Sequence, residues 1–285
     1  MTDALRTTVP AATTGDTDIA ALAAHLDATR ITGQVATPRE GNLSHIHRFL
    51  AQERSFHFGV ELTRDWDYDS VFDLMVERVG IRADPAHTQG QDTISAQLCI
   101  DASRRLGRAL GEVARAGGTI MFATGHPAGM LPVHQTLAHA AELAGATVLD
   151  VPPADHPLDR YVPNTVDGGD LRRLRGVWIW HLHGGIPHTH FPDPSQILLD
   201  TVAERGGALP DLVVADHGWA GHAASRGLRT VGFADCNDPA LFVAEAQGSL
   251  EVSVPLDDDV LPEFYLPLCR FILQEAGLPL DGLEI

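Results

Sequence analysis

Apolar positions fall in two different registers along this chain, and the register changes near residue 118. Between Thr17 and Thr29, Ile19, Leu22, Ala23 and Leu26 recur at helical spacing, and the stretch stops before Ile31-Thr32-Gly33. Pro38-Arg39-Glu40 opens a second helix that runs to Leu50, with Leu43, Ile46, His47 and Leu50 on one side. The spacing predicts a third helix from Tyr68 to Val79, and Asp92 or Thr93 can cap a long fourth one reaching about Ala116. Residues 17–117 therefore read as a helical subdomain, behind a polar, Thr-rich tail over residues 1–16 that is expected to be flexible.

From Gly118 onward, short β-rich runs alternate with helical ones. Thr119 to Ala123, Thr147 to Val151, Val177 to Leu182, Leu212 to Ala215, Thr230 to Ala234 and Leu250 to Val254 read as strands. Leu131 to Ala144, Pro194 to Glu204, Gly221 to Arg226, Pro239 to Ala246 and Leu261 to Ala276 read as helices. The alternation predicts an α/β fold: a Rossmann-like, mainly parallel three-layer sheet over residues 118–285, with the N-terminal helical subdomain packed on it. No flexible linker separates the two parts, so one integrated domain is expected.

Composition narrows the function classes. A chain of 285 residues that is 44% hydrophobic has ample material for a core. It carries no run of about 18 apolar residues and no charged-then-apolar leader, which points to a cytoplasmic protein. Cys99, Cys236 and Cys269 are odd in number and far apart, so neither a disulfide framework nor a thiolate zinc site is expected. A net charge of −18 argues against nucleic acid and anionic membrane as partners, because both are bound through cations. All 20 basic residues are arginine, and an acidic protein handling a phosphorylated molecule must neutralise it locally, with a divalent ion, a few arginines or a helix N-terminus. A homodimer is compatible with these features.

The candidate chemistry sits just after the strands, where open parallel sheets place their ligands. Thr124-Gly125-His126-Pro127 reads as a strand-to-helix turn able to offer amides to phosphate. His188 and His190, two apart on an extended stretch, could face one metal; a solvated loop between Pro187 and Pro192 is the plainer reading, and His181 and His183 read as strand-end packing. Asp216 ends a buried strand, where a carboxylate needs a cation, a metal or several N–H donors; it could also simply cap the following helix. Asp235 and Asn237 repeat the device one strand later, with Asp238 the natural N-cap ahead of Pro239. Arg39 and Asn42 could reach the cleft, whereas Asp257-Asp258-Asp259 reads as an acidic surface turn.

The stretches Val35-Ala-Thr-Pro-Arg-Glu, Gln91-Asp-Thr-Ile, Ala123-Thr-Gly-His-Pro-Ala-Gly, His188-Thr-His, Pro210-Asp-Leu-Val-Val-Ala-Asp-His-Gly-Trp-Ala-Gly and Asp235-Cys-Asn-Asp-Pro-Ala-Leu-Phe-Val-Ala-Glu-Ala together resemble a family of actinobacterial phosphatases, in the same order through nearly the whole chain. The resemblance implies roles for Arg39, Asn42, Gly125, His126, His188, His190, Asp216, Asp235 and Asn237, and has no counterpart for His181 and His183. A fainter likeness, at the level of fold, is to metal-dependent carbohydrate phosphatases.

The expectation is a phosphoric monoester hydrolase that uses a divalent metal ion (Mg, Mn or Zn) and takes a small phosphorylated metabolite, a sugar or nucleoside phosphate. His188, His190, Asp216, Asp235 and Asn237 would hold the metal, with Asp216 and Asp235 also catalytic. His126 would assist proton transfer, and Arg39, Asn42, Thr124, Gly125 and His217 would bind the phosphate. The same cluster could instead serve a metal-dependent isomerase or lyase on a related phosphorylated or carboxylated metabolite, or a non-catalytic metabolite-binding protein. No GxSxG elbow or DxDx[TV] motif points to an acyl-enzyme or aspartyl-phosphate route.

Overall fold

The computed structural model describes residues 17–152, 162–163 and 169–280. The tail over residues 1–16 lies outside them. The first elements are α1 (Ile19–Ala28), β1 (Gly33–Pro38), α2 (Arg39–Leu50), α3 (Tyr68–Arg78), β2 (Gln91–Ile94) and α4 (Ala96–Arg115). Helical periodicity located all four helices but missed the ladder between them: β1 and β2 pair antiparallel, with Gly33 opposite Ile94. Asp92 lies inside β2, so the cap of α4 is Ser95, whose hydroxyl accepts from the Leu98 amide. Strands of six and four residues are too short to show an unambiguous period-2 signal.

The second half builds β3 (Thr119–Ala123), α5 (Pro127–Leu143), β4 (Thr147–Val148), β5 (Val162–Pro163), β6 (Asp170–Leu174), β7 (Val177–His181) and α6 (Asp193–Glu204). It continues with β8 (Leu212–Asp216), α7 (His217–Ser225), β9 (Thr230–Ala234), α8 (Pro239–Ala246), β10 (Val252–Pro255), a 3-10 turn (Pro262–Tyr265) and α9 (Leu266–Ala276). The sheet runs in the order β10-β9-β8-β3-β7-β6-β5, with β4 beside the start of β3. It is parallel from β10 to β7; β6, which hydrophobic patterning missed, turns back antiparallel and is half polar, with Arg172 and Arg173 in its middle.

Strand alternation divides the core into two layers of packing. Ile120, Phe122, Leu212 and Val214 point into one cluster with α1, α4, α5 and α9. Met121, Ala123, Val213 and Ala215 point into the other with α2, α3, α6, α7 and α8. The result is the three-layer, Rossmann-like arrangement, with β8 and β9 buried along their whole length as central parallel strands are. The chain leaves β3 toward β7 and returns through α6 to β8 on the other side of β3. That reversal opens a crevice at the carboxyl ends of β3 and β8. Among the described residues, no helix is long and apolar enough to cross a membrane.

Helix starts reveal where the fold has been given over to something other than stability. Asp18, Asp67 and Ser95 cap α1, α3 and α4 with their side chains, as such residues should. The N-cap residues of α5, α7 and α8 are His126, Asp216 and Asp238, and none of the three makes a side-chain cap hydrogen bond. All three lie at the carboxyl edge of the parallel strands, and their side chains turn elsewhere. Both α5 and α7 also begin four residues earlier than apolar spacing predicted, because the residues after the strand are consumed by the site rather than by a loop.

Candidate active site

Four strand ends and one crossing loop surround a cavity of about 760 Å³. β3 delivers His126, β8 delivers His217, β9 delivers Asp235, Asn237 and Asp238, and β10 delivers Asp257, Asp258 and Asp259. The segment after β7 lays His188 and His190 across the mouth, and Thr37 of β1 closes one side. A second cavity of about 830 Å³ lies at the opposite end of the strands, beside Arg78, Arg105 and Arg229. Its arginines are engaged by Glu112, Glu245 and Glu251, so it gathers no free catalytic groups.

Asp216 is the anchor of the first cavity. It is fully buried, and its oxygens accept four hydrogen bonds: from Thr124 Oγ1 (2.6 Å), the Gly125 amide (2.6 Å), His134 Nε2 (3.1 Å) and His217 Nδ1 (3.0 Å). Burial alone would raise its pKa. The bonds from His134 and His217, and their charge, outweigh that and hold the carboxyl well below its usual range. The carboxylate is thus spent on orientation: it fixes the proton of His217 on Nδ1 and turns Nε2 toward the cavity. His217 also adopts φ +45°, a left-handed conformation costly for a residue with a Cβ, and such strain persists only where surrounding contacts impose it.

Several polar atoms converge around His217 Nε2. His188 Nε2 lies 3.5 Å away, and Asp238 Oδ2 and Asp258 Oδ2 each lie 3.6 Å away. His190 Nε2 is 2.9 Å from His188 Nε2, while its Nδ1 donates to the Ser55 carbonyl. His126 Nδ1 stands 2.9 Å from Asp258 Oδ1 as an ion-pair contact, and Asp258 Oδ2, 3.6 Å from His217 Nε2, is buried with no hydrogen-bond partner. Tetrahedral or octahedral ligands at bonds of about 2.0–2.2 Å stand roughly 3.0–3.6 Å apart, so these spacings suit donors sharing a metal.

The titration behaviour agrees with that reading. Burial, reinforced by the neighbouring rings, lowers His188 to about 4 and His190 to about 3, leaving both neutral and able to ligate. Burial opposes charge on His217 too. Its bond to Asp216 and the carboxylates of Asp238 and Asp258 nevertheless raise it to about 10, so without another cation the ring itself serves as one. Asp238 is raised to about 7, chiefly by burial, and Asp235 is pushed well above the carboxylate range by burial and by the charges of Asp258, Asp257 and Asp238.

A donor cluster of this kind on a Rossmann-like sheet fits many hydrolases, and comparison with known proteins decides between them. The sequence model of a family described as Phosphatase matches residues 17–280. Phosphatase SCO2771 of Streptomyces coelicolor is 46% identical over 261 residues, covering 91% of this chain and 96% of the relative. The chain belongs to this phosphatase family. The matched span includes every residue that lines the cavity, from Ala36 to Asp259.

Within this phosphatase fold, the site residues expected from sequence divide into two groups. His126, His188, His190, His217, Asp235 and Asn237 line the cavity. Arg39 and Asn42 do not: Arg39 is fully buried, bonded to Asp92 at 2.7 Å and to the carbonyls of His87 and Arg82, and Asn42 bonds Asp92 and Cys236. They brace α2 against β2, and neither is free to grip phosphate. Thr124 and the Gly125 amide are likewise committed, to Asp216, and Asp216 is buried beneath the ring of His217 rather than open to an ion. His181 lies 3.3 Å from Asp170, and neither it nor His183 reaches the cavity.

Sequence reasoning missed Asp238, His134 and the pair Asp257-Asp258. Asp238 looks like a helix cap and its side chain is not used as one. Asp257 and Asp258, read as a surface turn, are 3% and 4% exposed, and only Asp259 points out. The signal available was position: Asp258 follows β10 as Asp216 ends β8, at the same edge of the sheet. Gly129 permits that approach, since a Cβ there would lie 2.0 Å from the Asp258 carbonyl oxygen. Gly129→Ala is accordingly expected to displace Asp258 and weaken divalent-ion binding by about 10–100-fold, the usual effect of disturbing a ligand's support. Calorimetric titration with Mn²⁺ would show this, and unchanged affinity in a folded variant would remove Asp258 from the ligand set.

Proposed function

We propose that this protein is a divalent-metal-dependent phosphomonoesterase acting on a small phosphorylated metabolite of the sugar or nucleoside phosphate kind. One observation carries the reading. The cavity is lined by five aspartates (Asp235, Asp238, Asp257, Asp258, Asp259) and four histidines, with no arginine among its described lining residues. A phosphate dianion cannot settle among those carboxylates unless another cation is present. His217, Asp238 and Asp258 form one donor group that fits a divalent ion, and His126, His188 and His217 form another; the buried Asp258 Oδ2, which has no hydrogen-bond partner, supports the fit.

Bound there, such an ion would neutralise phosphoryl oxygens and acidify water. The chain's own residues supply the rest. Asp216 and His134 hold His217 in one tautomer, so its Nε2 faces the cavity without rearrangement. Asp235 is 4% exposed, and burial together with the like charges of Asp258, Asp257 and Asp238 pushes its carboxyl above the usual range, the direction suited to a group that donates a proton to a departing alkoxide. Thr37 Oγ1 donates to Asp235 Oδ2 at 2.7 Å and fixes the orientation of that group. Leu131, Ile186, Pro127 and Ala128 form an apolar wall suited to the carbon skeleton of the leaving group.

The test is phosphate release from a panel of sugar and nucleoside monophosphates, with and without EDTA, followed by restoration with Mg²⁺, Mn²⁺ or Zn²⁺. Release that chelation abolishes and one of these ions restores is the expected result. Release indifferent to the chelator, or substrate conversion without free phosphate, would defeat the reading.

A further inference from the structure

Once an ion and the transferred phosphate occupy the cavity, its remaining walls decide what charge the rest of the substrate can carry. Asp238 and Asp258 belong with His217 to one donor group, whereas Asp235, Asp257 and Asp259 belong to neither group. A dication brings two positive charges, no more than a phosphate dianion cancels by itself. The cations that the chain supplies are already outnumbered by carboxylates. His126 faces Asp258 at 2.9 Å and Asp259 at 3.4 Å, and His217 faces Asp238 and Asp258 at 3.6 Å each. Burial keeps His188 and His190 neutral. The chain has no lysine, and no arginine is among the described residues that line the cavity. Arg39 is committed to Asp92 and Arg54 to Asp193, each at 2.7 Å.

Asp257 and Asp259 stand on this wall as acceptors. Asp257 is 3% exposed; its Oδ1 accepts from the Asp259 amide at 3.1 Å and its Oδ2 from the Ala36 amide at 3.3 Å. Both bonds favour the ionised form against the opposing effect of burial. Asp259 has a side chain 77% exposed, at the opening of the cavity. An ionised carboxylate has only acceptors to offer, so it welcomes a hydroxyl or an ammonium group. A second carboxylate or phosphate on the substrate can neither donate to it nor be neutralised by it, and like charges brought together repel strongly. Leu131, Ile186, Pro127 and Ala128 meanwhile supply contact for carbon but no charge.

We propose that the site selects its substrate by charge: it takes phosphate monoesters whose alcohol part is neutral or cationic and turns away those with a second anionic group, with Asp257 and Asp259 enforcing the choice. The inference rests on the phosphomonoesterase reading above and narrows its substrates to compounds in which the phosphate is the sole anionic group. Monophosphates of sugars, polyols and amino alcohols fall inside that class. Sugar bisphosphates, phosphorylated sugar acids and nucleotides with more than one phosphate fall outside it. Discrimination of this kind comes from repulsion built against the wrong ligand rather than from added contacts to the right one.

Phosphoethanolamine, ethylene glycol monophosphate and phosphoglycolate vary the charge at nearly constant size. With Mn²⁺ saturating, kcat/KM for phosphoglycolate is expected to lie about 100-fold below that for the glycol ester, and phosphoethanolamine to equal or exceed the glycol ester. Aminoethyl-, hydroxyethyl- and carboxyethylphosphonate, which cannot be hydrolysed as esters, should bind in the same order by calorimetry. Asp257→Asn should narrow the gap between the anionic and neutral members about tenfold, and Asp259→Asn only about threefold because water screens its charge, with circular dichroism confirming that both fold. Phosphoglycolate hydrolysed, or its phosphonate counterpart bound, within about threefold of the neutral member overturns the proposal, as does a gap that neither folded variant narrows. If all three esters release phosphate alike, the function proposed above stands and only the charge selection falls. If no ester is hydrolysed, that function falls and the order of phosphonate binding still decides the selection. Phosphonates that do not bind at all overturn both.

Discussion

His217→Ala is expected to lower kcat/KM for phosphomonoester hydrolysis by about a thousandfold, the order of effect that several kcal/mol of lost charge stabilisation produces. The ring is the one donor shared by both ligand groups, and Asp238 and Asp258 face it. Removing it also leaves Asp216 without one of its four donors. Steady-state kinetics with Mn²⁺ held above saturation measure the loss, and a variant that folds and retains a tenth or more of wild-type turnover would exclude His217 from the machinery. The wild-type protein has a matching pH signature. The metal-free ring keeps its proton up to about 10, and that proton must leave before Nε2 can ligate. Metal affinity should therefore rise with pH through the neutral range, by about tenfold per unit for one released proton, and level off near 10. Calorimetry in buffers of different ionisation enthalpy would count the proton directly.

Asp216→Ala is expected to cost roughly 3–5 kcal/mol of folding stability, the range for breaking a buried charged pair from one side. The alanine would strand the Gly125 amide, the Thr124 hydroxyl and the two rings of His134 and His217, all buried, without the carboxylate that accepts from them. Urea denaturation of metal-free protein measures the loss. Its pH dependence follows from the sign of each shift. The depressed pKa of Asp216 means that its stabilisation is present above the unfolded carboxylate value and is lost as pH falls through the folded one. The raised pKa of His217 means the converse: stabilisation in full below about 6.5, lost as pH rises toward 10. Both shifts describe largely the same interaction, so the alanine variant should lose the acid limb and most of the alkaline limb together. A variant as stable as wild type at neutral pH would show that the carboxylate anchors nothing.

The sheet was legible in the sequence because its central strands are continuous apolar runs, and runs such as Leu212 to Ala215 are hard to satisfy outside a core covered on both faces. The polar strand β6 and the brief ladder of β1 with β2 were not, since their residues carry no clear period. That His126, His188, His190, His217, Asp235 and Asn237 would line one cavity was legible because histidines and carboxylates immediately after apolar strands are unusual in composition and fixed in position. Arg39 misled for the opposite reason. An arginine at a helix start looks free until the fold brings Asp92 to it from fifty residues away. Asp258 was hidden because a run of three aspartates looks solvated, and only the third of them is. Local sequence tells which groups are reactive, whereas long-range pairing tells which of them are still available.

The proposed ligands span residues 126 to 258, and about the last third of that interval must be laid down as β8, β9 and β10 before Asp258 reaches His126. In a cell, where synthesis proceeds at about 5–20 residues per second, the proposed ion site is complete only once nearly the entire polypeptide has emerged from the ribosome. A half-made chain offers only scattered histidines, without the carboxylates that complete the donor group of His217, Asp238 and Asp258.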